Sequence, residues 1–404
     1  MRKPLSIAFI VRDPLPPARA DVATLFGSEM PRYGVNTALV GQVGGSETAE
    51  WPAGGMYPVG SLRSRFAAVL SPLWDLRGLL RALKHIRPDC IQVRDKIASG
   101  LLGRIAAGVL GVPFVYWMSF PIVEGFEVRR DEFRGIKWLA HALRAAASRF
   151  VIYRLVLPKA RHIFVQSEAM ADWLAAKGLK RSRMTAVPMG VDAGVFDRAA
   201  VTPSLDPRLD GRRVVLYLGR IARARRSGFL LELAEGLKQE VPDALVVIAG
   251  DAASNDEMDW MRAEIARRGI GDHVLLTGWL PQQEALGYAV RAEVGLSPIP
   301  RGVLFDVSSP TKLVEYLALG IPSVANDIPD QRLVVEESGA GLCVPMEVGP
   351  FVAAIRRLLD DRTLSAEFAQ RGPAYVSSHR TYAILGRIVA ETYTKILPEA
   401  TLET

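Results

Sequence analysis

Short apolar runs alternate with amphipathic stretches along the first half of the chain. The apolar runs predict strands at residues 5–11, 36–40, 90–93, 112–117 and 162–166, and the stretches at 76–86 and 101–110 have the apolar spacing of helices. Such an alternation is typical of a parallel sheet whose two faces are covered by helices. The first half of the chain is therefore predicted to form an α/β domain.

The same pattern begins again after a proline-containing break at residues 201–207. Apolar runs predict strands at 214–218, 244–249, 274–277 and 294–297, with helical stretches between them. We therefore expect an α/β protein with two Rossmann-like, doubly wound parallel-sheet domains facing a central cleft, over residues 1–200 and 208–380. Ligands of such sheets lie outside the carboxyl ends of the strands, so candidate site residues should follow strands.

The 404 residues carry a net charge of +7, and this charge is unevenly distributed. Residues 1–200 contain 28 Lys or Arg against 16 Asp or Glu, a net charge of +12, whereas residues 201–404 contain 22 against 27, a net charge of −5. The basic half favours an anionic partner, such as a membrane surface or an anionic substrate. Nucleic acid is not expected, because the sequence has neither zinc-finger spacing nor an aromatic RNP-type strand.

The sequence also bears on location. Cys90 and Cys343 are the only cysteines, which favours a reducing compartment. Residues 1–6 lack the apolar region of a signal peptide, and no apolar run reaches the ~20 residues that cross a bilayer. We expect a cytoplasmic protein, either free or peripheral at the inner membrane face. The basic amphipathic segment 134–149 allows contact with anionic lipid, but a core-facing helix with a solvated basic side is the favoured interpretation.

The most informative segment is SPTKLVEYLALGIPSVA at residues 309–325, which predicts a short loop, a helix and then a buried strand. Pro310 suits the first position of a helix, and the free amides of Thr311, Lys312 and Leu313 would then face an anion at the helix tip. Glu315, one turn further in, offers a carboxylate to two hydroxyl groups such as those of a ribose. Phosphate at the tip and ribose one turn along is the geometry of a bound nucleotide diphosphate. The alternative is an ordinary αβ unit of a doubly wound sheet, whose helix is capped by Pro and Gly with no ligand bound.

A second candidate cluster follows the predicted strand at 214–218. The segment GRIARARR at residues 219–226 gathers four arginines at one strand end. Such a cluster repels itself unless an anion is nearby, and guanidinium groups suit phosphate oxygens. A solvated basic loop is the alternative explanation for this segment taken alone.

Together the two segments resemble the donor site of family-4 retaining glycosyltransferases. Residues 309–325 resemble the signature SPxKLxEYxAxGxPxVA, and residues 219–226 resemble GRLxxxKG, in which the Arg and the Lys hold the donor diphosphate. Arg220 matches the family Arg, Arg225 occupies the Lys position, and Arg226 replaces the Gly, so the loop is expected to bend differently. The resemblance, specific between residues 219 and 345, implies the GT-B fold, with a last helix within 381–404 that crosses back to the first domain.

The resemblance implies further site residues. The region that borders the nucleotide base is expected at Gly250, Trp279 and Leu280. The second Glu of the fuller family signature is Val307 here, so the donor sugar would be held by Asp306 or by backbone amides of the donor-sugar region, which comprises Asp306, Val307, Ser308 and Ser309. On the acceptor side, Ser119 stands where the family often has a His, and Glu124 follows it.

These features predict a retaining, metal-independent glycosyltransferase of the hexosyltransferase type. Arg220, Arg225 and Glu315 are the residues on which catalysis should depend, and the nucleotide-diphosphate sugar is a substrate, with no cofactor expected. The acceptor would be a glycan, a lipid-linked sugar or a small molecule, in the synthesis of surface polysaccharide or glycoconjugates. The alternatives are a non-catalytic glycosyltransferase-like binding protein and a nucleotide-sugar epimerase. A dehydrogenase is disfavoured, because no strand is followed by GxGxxG.

Overall fold

The computed structural model describes residues 3–45 and 50–397. Outside the described residues lie Met1, Arg2, residues 46–49 and residues 398–404, all of which belong to the predicted domains. The chain divides into two compact units. The first contains the residues up to Pro188 together with those from Tyr382 onward, and the second runs from Met189 to Thr381.

The first unit is built on a parallel sheet of seven strands with the order β3-β2-β1-β4-β5-β6-β7. Strands β1 and β4 are neighbours in this sheet, and the strand order reverses between them. Such a switch point opens a crevice at the carboxyl ends of the strands. The strands are β1 (Leu5–Ile10), β2 (Val35–Val43), β3 (Met56–Ser61), β4 (Cys90–Arg94), β5 (Phe114–Met118), β6 (His162–Val165) and β7 (Met184–Ala186).

The second unit is built on a parallel sheet of six strands with the order β10-β9-β8-β11-β12-β13. Here the strand order reverses between β8 and β11. The two parallel sheets confirm the predicted fold class of two Rossmann-like domains. The strands are β8 (Arg213–Leu218), β9 (Ala244–Ala249), β10 (Val274–Gly278), β11 (Val294–Ser297), β12 (Ser323–Asn326) and β13 (Gly341–Val344).

Helices connect the strands of each sheet. Within the described ranges, no helix combines the length and the apolar character needed to span a bilayer. The α-helices are α1 (Ala20–Thr24), α2 (Ala67–Ala82), α3 (Ile97–Leu110), α4 (Ile122–Arg130), α5 (Gly135–Phe150), α6 (Glu168–Ala176), α7 (Gly228–Glu240), α8 (Asn255–Arg268), α9 (Gln282–Val290), α10 (Val303–Asp306), α11 (Thr311–Ala318), α12 (Pro329–Ser338), α13 (Val348–Asp360), α14 (Arg362–His379) and α15 (Tyr382–Ile396).

The strands were recognisable because both sheet faces are buried. In β8, Val215 and Tyr217 belong to one buried cluster, and Val214 and Leu216 belong to another. Successive side chains of a strand point to opposite faces, so a strand covered on both faces has to be apolar throughout. Three strands were missed. β3 contains Pro58 and Gly60, β7 has three residues, and β13 is short and only partly buried, so none forms an apolar run.

The boundary between the units lies earlier than residue 200. The break at 201–207, interpreted from the sequence as a linker, instead lies inside the second unit, where Val201 is buried. The amide of Ser204 donates to the carbonyl of Gly287 at 3.0 Å, and Arg291 Nη1 donates to the carbonyl of Ser204 at 3.0 Å. This proline-containing segment is therefore a connection to β8 that packs on the second unit, and it does not link the two units.

The last helix, α15, belongs to the first unit although the second unit precedes it in the chain. Its buried residues Tyr382, Leu385, Val389 and Tyr393 join the core formed with β1, β4 and β5. Tyr393 Oη also donates to Oε1 of buried Gln92 on β4.

The orientation of helix α5 differs from the one that the sequence predicts. The sequence predicts a core-facing helix at 134–149, and a helix does form at Gly135–Phe150, but Ala145 is the one buried residue of this helix. Its large apolar side chains are exposed, among them Ile136 at 88% and Leu143 at 64%. The periodicity was that of an amphipathic helix, but the sequence could not say which face would meet the protein.

Candidate functional site

The candidate site lies at the switch point of the second sheet. Strand β8 is followed in the chain by β9, its neighbour on one side of the reversal, whereas β11 is followed by β12, its neighbour on the other side. The loop that follows β8 and the start of helix α11, which follows β11, therefore lie at the same carboxyl edge. This is where α/β sheets of this type bind ligands.

Two glycines fix the backbone of the loop that follows β8. Gly219 has φ +143°, and Gly250, at the end of the neighbouring strand β9, has φ +152°. A Cβ atom on Gly250 would lie 2.1 Å from the carbonyl oxygen of Gly219, so the two backbones approach as closely as glycine permits. The amides of Gly219 and Ile221 donate to the carbonyls of Ala249 and Asp251 at 2.9 Å and 3.0 Å. The arginines of the loop are thus carried by an ordered backbone.

Arg220 and Arg225 project from this loop as exposed side chains. Within the described part of the chain, neither guanidinium has a hydrogen-bond or ion-pair partner. Arg223 differs, because its guanidinium lies over the ring of Trp260 at 4.8 Å. Arg226 has φ +54°, the left-handed conformation that glycine adopts most readily, so this arginine does not force the loop away from a glycine-type bend.

Helix α11 begins one residue later than the sequence suggested. Pro310 has extended backbone angles and is the residue before the first helical position, which Thr311 occupies. Among the residues that the structure describes, no backbone carbonyl accepts from the amides of Thr311, Lys312 and Leu313, which are the donors that a first helical turn leaves unpaired. At the other end, Gly320 has φ +64°, and its amide and that of the next residue donate back to the last turn at 3.0 Å and 2.9 Å.

Tyr316 ties the helix to the strand. Its Oη accepts a hydrogen bond from the amide of Leu218, the last residue of β8, at 2.7 Å. Its ring packs on Gly295 of β11, where a Cβ atom would lie 2.6 Å from the ring. The phenol thus ties α11 to the strand that leads into the arginine loop. The sequence analysis did not assign this role.

The Lys312 side chain is the main feature of the site that the sequence analysis missed. It is only 9% exposed, and its Nζ lies 5.1 Å from the centre of the Tyr217 ring. A Cβ atom added to Gly219 would lie 2.6 Å from the Lys312 Cε atom. Burial, followed by the charge of Arg225, lowers the pKa of Lys312 to about 8, although Glu315 opposes this shift. No hydrogen-bond acceptor contacts this ammonium among the residues described, so the group is suited to receive an anion.

Glu315 lies one turn further along α11 and is partly buried. Burial raises the pKa of its carboxyl group, whereas the Lys312 charge and a hydrogen bond from the Thr311 side chain lower it. A carboxylate next to an ammonium and behind three free amides can accept hydroxyl hydrogen bonds from a ligand whose anionic part lies at the helix tip.

The residues expected around a donor sugar are largely engaged with other protein groups. Asp306 pairs with Arg301, whose Nε lies 2.8 Å from Oδ1, so it does not stand free as a replacement for the missing glutamate. Ser308 Oγ donates to the carbonyl of Phe305 at 2.7 Å. Ser309 Oγ donates to Asp330 at 2.7 Å and accepts from the amide of Met189 at 2.9 Å. Val307 is buried. Contacts from this region to a ligand would therefore come from the backbone.

The expected base region lies at the ends of β9 and β10. Trp279 directly follows β10 and is 73% exposed, so its indole face is available for stacking. Gly250 and Gly278 form a bridge between the two strand ends, which places Trp279 and Leu280 beside the loop that carries Gly250. No group of three or more His, Cys, Asp or Glu side chains suited to a metal ion occurs among residues 3–45 and 50–397.

The two acceptor-side candidates in the first unit do not lie in one cluster. Ser119, at the end of β5, donates from Oγ to Asp95 and belongs to a buried network around Arg94. Glu124 accepts from Tyr153 Oη at 3.0 Å and lies 3.1 Å from Lys177 Nζ. Both side chains are thus held by other residues.

The Arg94 network was missed by the sequence analysis, although an Arg-Asp pair that ends an apolar strand was a signal for it. Arg94 is fully buried and lies 3.3 Å from Asp13. It also lies against Asp21 at 2.5 Å and Asp95 at 3.6 Å. Burial raises the pKa of Asp95, while Arg94 and Ser119 oppose the shift.

Two family models match the chain. The model for glycosyl transferases group 1 matches residues 206–375, and that for the glycosyl transferase 4-like domain matches residues 21–190. The 2-deoxystreptamine glucosyltransferase of Streptomyces kanamyceticus is 26% identical over 321 residues, which cover 75% of this chain and 78% of that protein. The alpha-D-kanosaminyltransferase of the same organism is 28% identical over 189 residues, and this match spans 46% of this chain and 47% of that protein, about half of either.

Solved structures resemble the whole described chain. HepE of Anabaena in complex with UDP has a TM-score of 0.68 at 17% identity, covering 97% of this chain and 100% of that chain. A glycosyltransferase from Rickettsia africae has a TM-score of 0.71 at 15% identity, covering 99% of this chain and 100% of that chain. Both sheets, the family models and these likenesses agree. The chain belongs to the GT-B glycosyltransferases and is a family-4-like member of them.

Proposed function

We propose that the protein is a retaining, metal-independent glycosyltransferase of the hexosyltransferase type that uses a nucleotide-diphosphate sugar. One observation carries the proposal. The switch point of the second sheet brings together the guanidinium groups of Arg220 and Arg225, the buried ammonium of Lys312 and the amides of the α11 tip, none of which has a partner among the described residues. Glu315 is the acidic neighbour of Lys312, but no ion pair joins these cations to a carboxylate among the described residues, so this concentration of donors and positive charge is suited to a diphosphate.

The same groups supply the chemistry of the leaving group. When the bond between the sugar and the diphosphate breaks, positive charge develops on the sugar ring and negative charge on the departing oxygen. Arg220, Arg225, Lys312 and the helix amides would stabilise that negative charge electrostatically. Glu315 would accept the ribose hydroxyl groups and hold the nucleotide in register. In this proposal these protein cations take the place that a metal ion has in other transferases.

Retention is proposed on the family resemblance. The acceptor hydroxyl would attack from the face that the diphosphate leaves, and a phosphate oxygen of the leaving group would take the hydroxyl proton. The bond from the acceptor oxygen to the anomeric carbon forms as the bond to the diphosphate breaks, so the products are the glycoside and the protonated nucleoside diphosphate.

We also propose that the acceptor is a glycan, a lipid-linked sugar or a small molecule, and that the protein acts in glycoconjugate synthesis at the cytoplasmic side of a membrane. Relatives support a range of acceptors. One is named 2-deoxystreptamine glucosyltransferase, and an Escherichia coli relative at 21% identity over 74% of both chains is named a galactosyltransferase acting on α-D-GlcNAc-diphosphoundecaprenol.

The test is a thermal-shift panel with UDP, GDP, ADP and their common sugar conjugates. A ligand at 100 times its Kd adds about 2.7 kcal/mol, a shift of several degrees in Tm. We expect one diphosphate to stabilise the wild type and to lose most of this effect in Glu315→Ala and Arg220→Ala. Arg223→Ala is the matched control, because Arg223 belongs to the same loop but stacks on Trp260.

The alternatives predict other results. A non-catalytic glycosyltransferase-like binding protein would show a weak or absent shift with every diphosphate and no turnover of a sugar nucleotide, and that result would overturn the proposed mechanism. An epimerase would convert the sugar nucleotide without an acceptor. Unchanged transfer after chelation by EDTA is expected, and loss of transfer that added metal restores would overturn the metal-independent part of the proposal.

A further inference from the structure

Large apolar side chains are exposed mainly on the first unit. Among the described residues, sixteen of the twenty large hydrophobic side chains with substantial exposure lie there, and four lie in the second unit. Scattered exposed hydrophobic residues are normal, but a concentration on one of two similarly built units marks an interaction surface.

Helix α5 has its apolar stripe on the solvent side. Ile136, Leu139, Leu143 and Phe150 are 88%, 52%, 64% and 58% exposed. Their spacing of three, four and seven residues places them on one face of the helix, opposite to Ala145, the one buried residue. This stripe is therefore not a remnant of core packing.

Two other helices extend the exposed surface. On α2 and the residue before it, Phe66, Val69, Leu73 and Leu80 are 53%, 76%, 61% and 55% exposed and share one helix face. On α3, Val109 is 82% exposed. Helix α2 packs against α3, α3 packs against residues 151–156, and these residues pack against α5. The stripes thus belong to one continuous helical layer, which we name the α2–α3–α5 face.

The α2–α3–α5 face is bordered by positive charge. Residues 133–154 contain five Lys or Arg and no Asp or Glu, and four of the five remain after Arg149 is paired with Glu127 of α4 at 2.6 Å. Residues 62–87 contain six Lys or Arg and one acid, Asp75, which is buried and paired with Lys96 Nζ at 2.8 Å. A second copy of the chain seated here would bring two basic surfaces together, whereas an anionic lipid surface complements both the charge and the apolar stripes.

We propose that the α2–α3–α5 face docks on an anionic phospholipid bilayer. The apolar stripes of α2 and α5 enter the boundary between headgroups and acyl chains, and basic side chains such as Lys137 and Arg77 contact lipid phosphates. This surface lies in the first unit, and its lipid binding is independent of nucleotide binding in the second unit. It goes beyond the proposed sugar transfer and does not rest on it.

The experiment is co-sedimentation of the full chain with vesicles of equal amounts of phosphatidylglycerol and phosphatidylcholine, compared with vesicles of phosphatidylcholine alone. We expect binding to the anionic vesicles, weakened by salt. The paired variants Leu139→Ser/Leu143→Ser and Val69→Ser/Leu73→Ser should each lower the partition coefficient by about tenfold or more, since each removes two apolar side chains from the bilayer.

Further variants separate the contributions. Lys137→Gln should lower binding to the anionic vesicles by about fivefold, because one basic residue near an anionic surface contributes roughly that factor. The control is Leu205→Ser in the second unit, where an apolar side chain that is 90% exposed lies outside the face. The Tm of every ligand-free variant is measured alongside and should equal that of the wild type, which shows that the variants are folded.

Three results would overturn the proposal. One is a wild-type chain that does not sediment with the anionic vesicles. Another is a loss in Leu205→Ser as large as in the paired variants. The third is a wild-type dimer in analytical ultracentrifugation that the paired variants convert to monomer while vesicle binding stays absent, which would assign the face to a second copy.

Discussion

Replacing Lys312 by Met should make the free protein more stable and the site weaker. The substitution keeps an unbranched side chain with good helix propensity at a position that is 9% exposed, and it removes the ammonium that lies against Gly219 and Tyr217. An ionised side chain that is buried without an acceptor is a cost to folding, so its removal should relieve that cost.

The magnitude follows from the pKa. Burial, followed by the charge of Arg225, lowers the pKa of Lys312 from 10.5 to about 8, and each unit corresponds to about 1.4 kcal/mol, so the ammonium costs the folded state at most about 3 kcal/mol. The pKa of Lys312 is lower in the folded protein than in the unfolded chain, so between pH 8 and 10.5 the unfolded chain binds more protons. The free energy of unfolding of the wild type therefore increases with pH over this range. Below pH 8 the full cost is present.

In the complex the ammonium is favourable, because the negative charge of a bound diphosphate stabilises it. A hydrogen bond to a charged group contributes about 1.5–3 kcal/mol, so Lys312→Met should weaken the affinity for the stabilising diphosphate by roughly 10- to 150-fold. In the wild type this affinity should fall as pH rises above 8, since binding then requires uptake of a proton, whereas the variant should lack this dependence.

The assay combines urea unfolding of the ligand-free proteins at pH 7 and pH 10 with calorimetric titration of the diphosphate across the same range. The free energy of unfolding of Lys312→Met should exceed that of the wild type by up to about 3 kcal/mol at pH 7, with a smaller difference at pH 10. Destabilisation by more than about 1 kcal/mol at pH 7 would refute the reasoning, because it would mean that the ammonium is satisfied in the folded protein.

Three further variants test how the site is held. Tyr316→Phe removes the hydroxyl that accepts from the Leu218 amide, so it should lower the free energy of unfolding in urea by about 1 kcal/mol and weaken diphosphate binding several-fold. Unchanged values would show that this contact does not support the site. Gly219→Ala should abolish the diphosphate thermal shift and lower Tm, because its Cβ would collide with Lys312 at φ +143°, and a wild-type shift would contradict this packing. Arg226→Gly should raise the free energy of unfolding by about 1 kcal/mol with calorimetric affinity retained, since its φ is +54°; a loss of affinity would show that Arg226 contacts the ligand.

Most of the fold could be predicted from the sequence because the sheets are covered on both faces. A strand such as β9, with all six residues buried, is an uninterrupted apolar run and cannot be mistaken for a loop. The strands that were missed, such as β3 with its proline and glycine, depend on pairing with a neighbour and not on their own apolar content. The helix tip at Thr311 was also readable, because proline and glycine mark helix ends through local backbone geometry.

The side chains that shape the site were not readable in the same way. The pattern predicted free amides at Lys312, but it could not show that the ammonium folds back against Gly219, because that contact joins residues far apart in the chain. The same is true of Asp306, which the sequence offered as a substitute carboxylate and the structure pairs with Arg301. Whether a charged group is free or paired depends on its neighbours in space.

The sequence by itself determined the fold class, the two successive sheets and the segments that meet at the carboxyl edge of the second sheet. These depend on local periodicity and on residues such as Pro310 and Gly320, whose backbone preferences act at their own positions. The tertiary structure alone decided that Tyr316 joins α11 to β8, that Lys312 is buried with no acceptor among the described residues, and that the apolar stripe of α5 points to solvent. The reason is physical: burial, pairing and the direction of a helix face are set by long-range contacts, which local sequence does not specify.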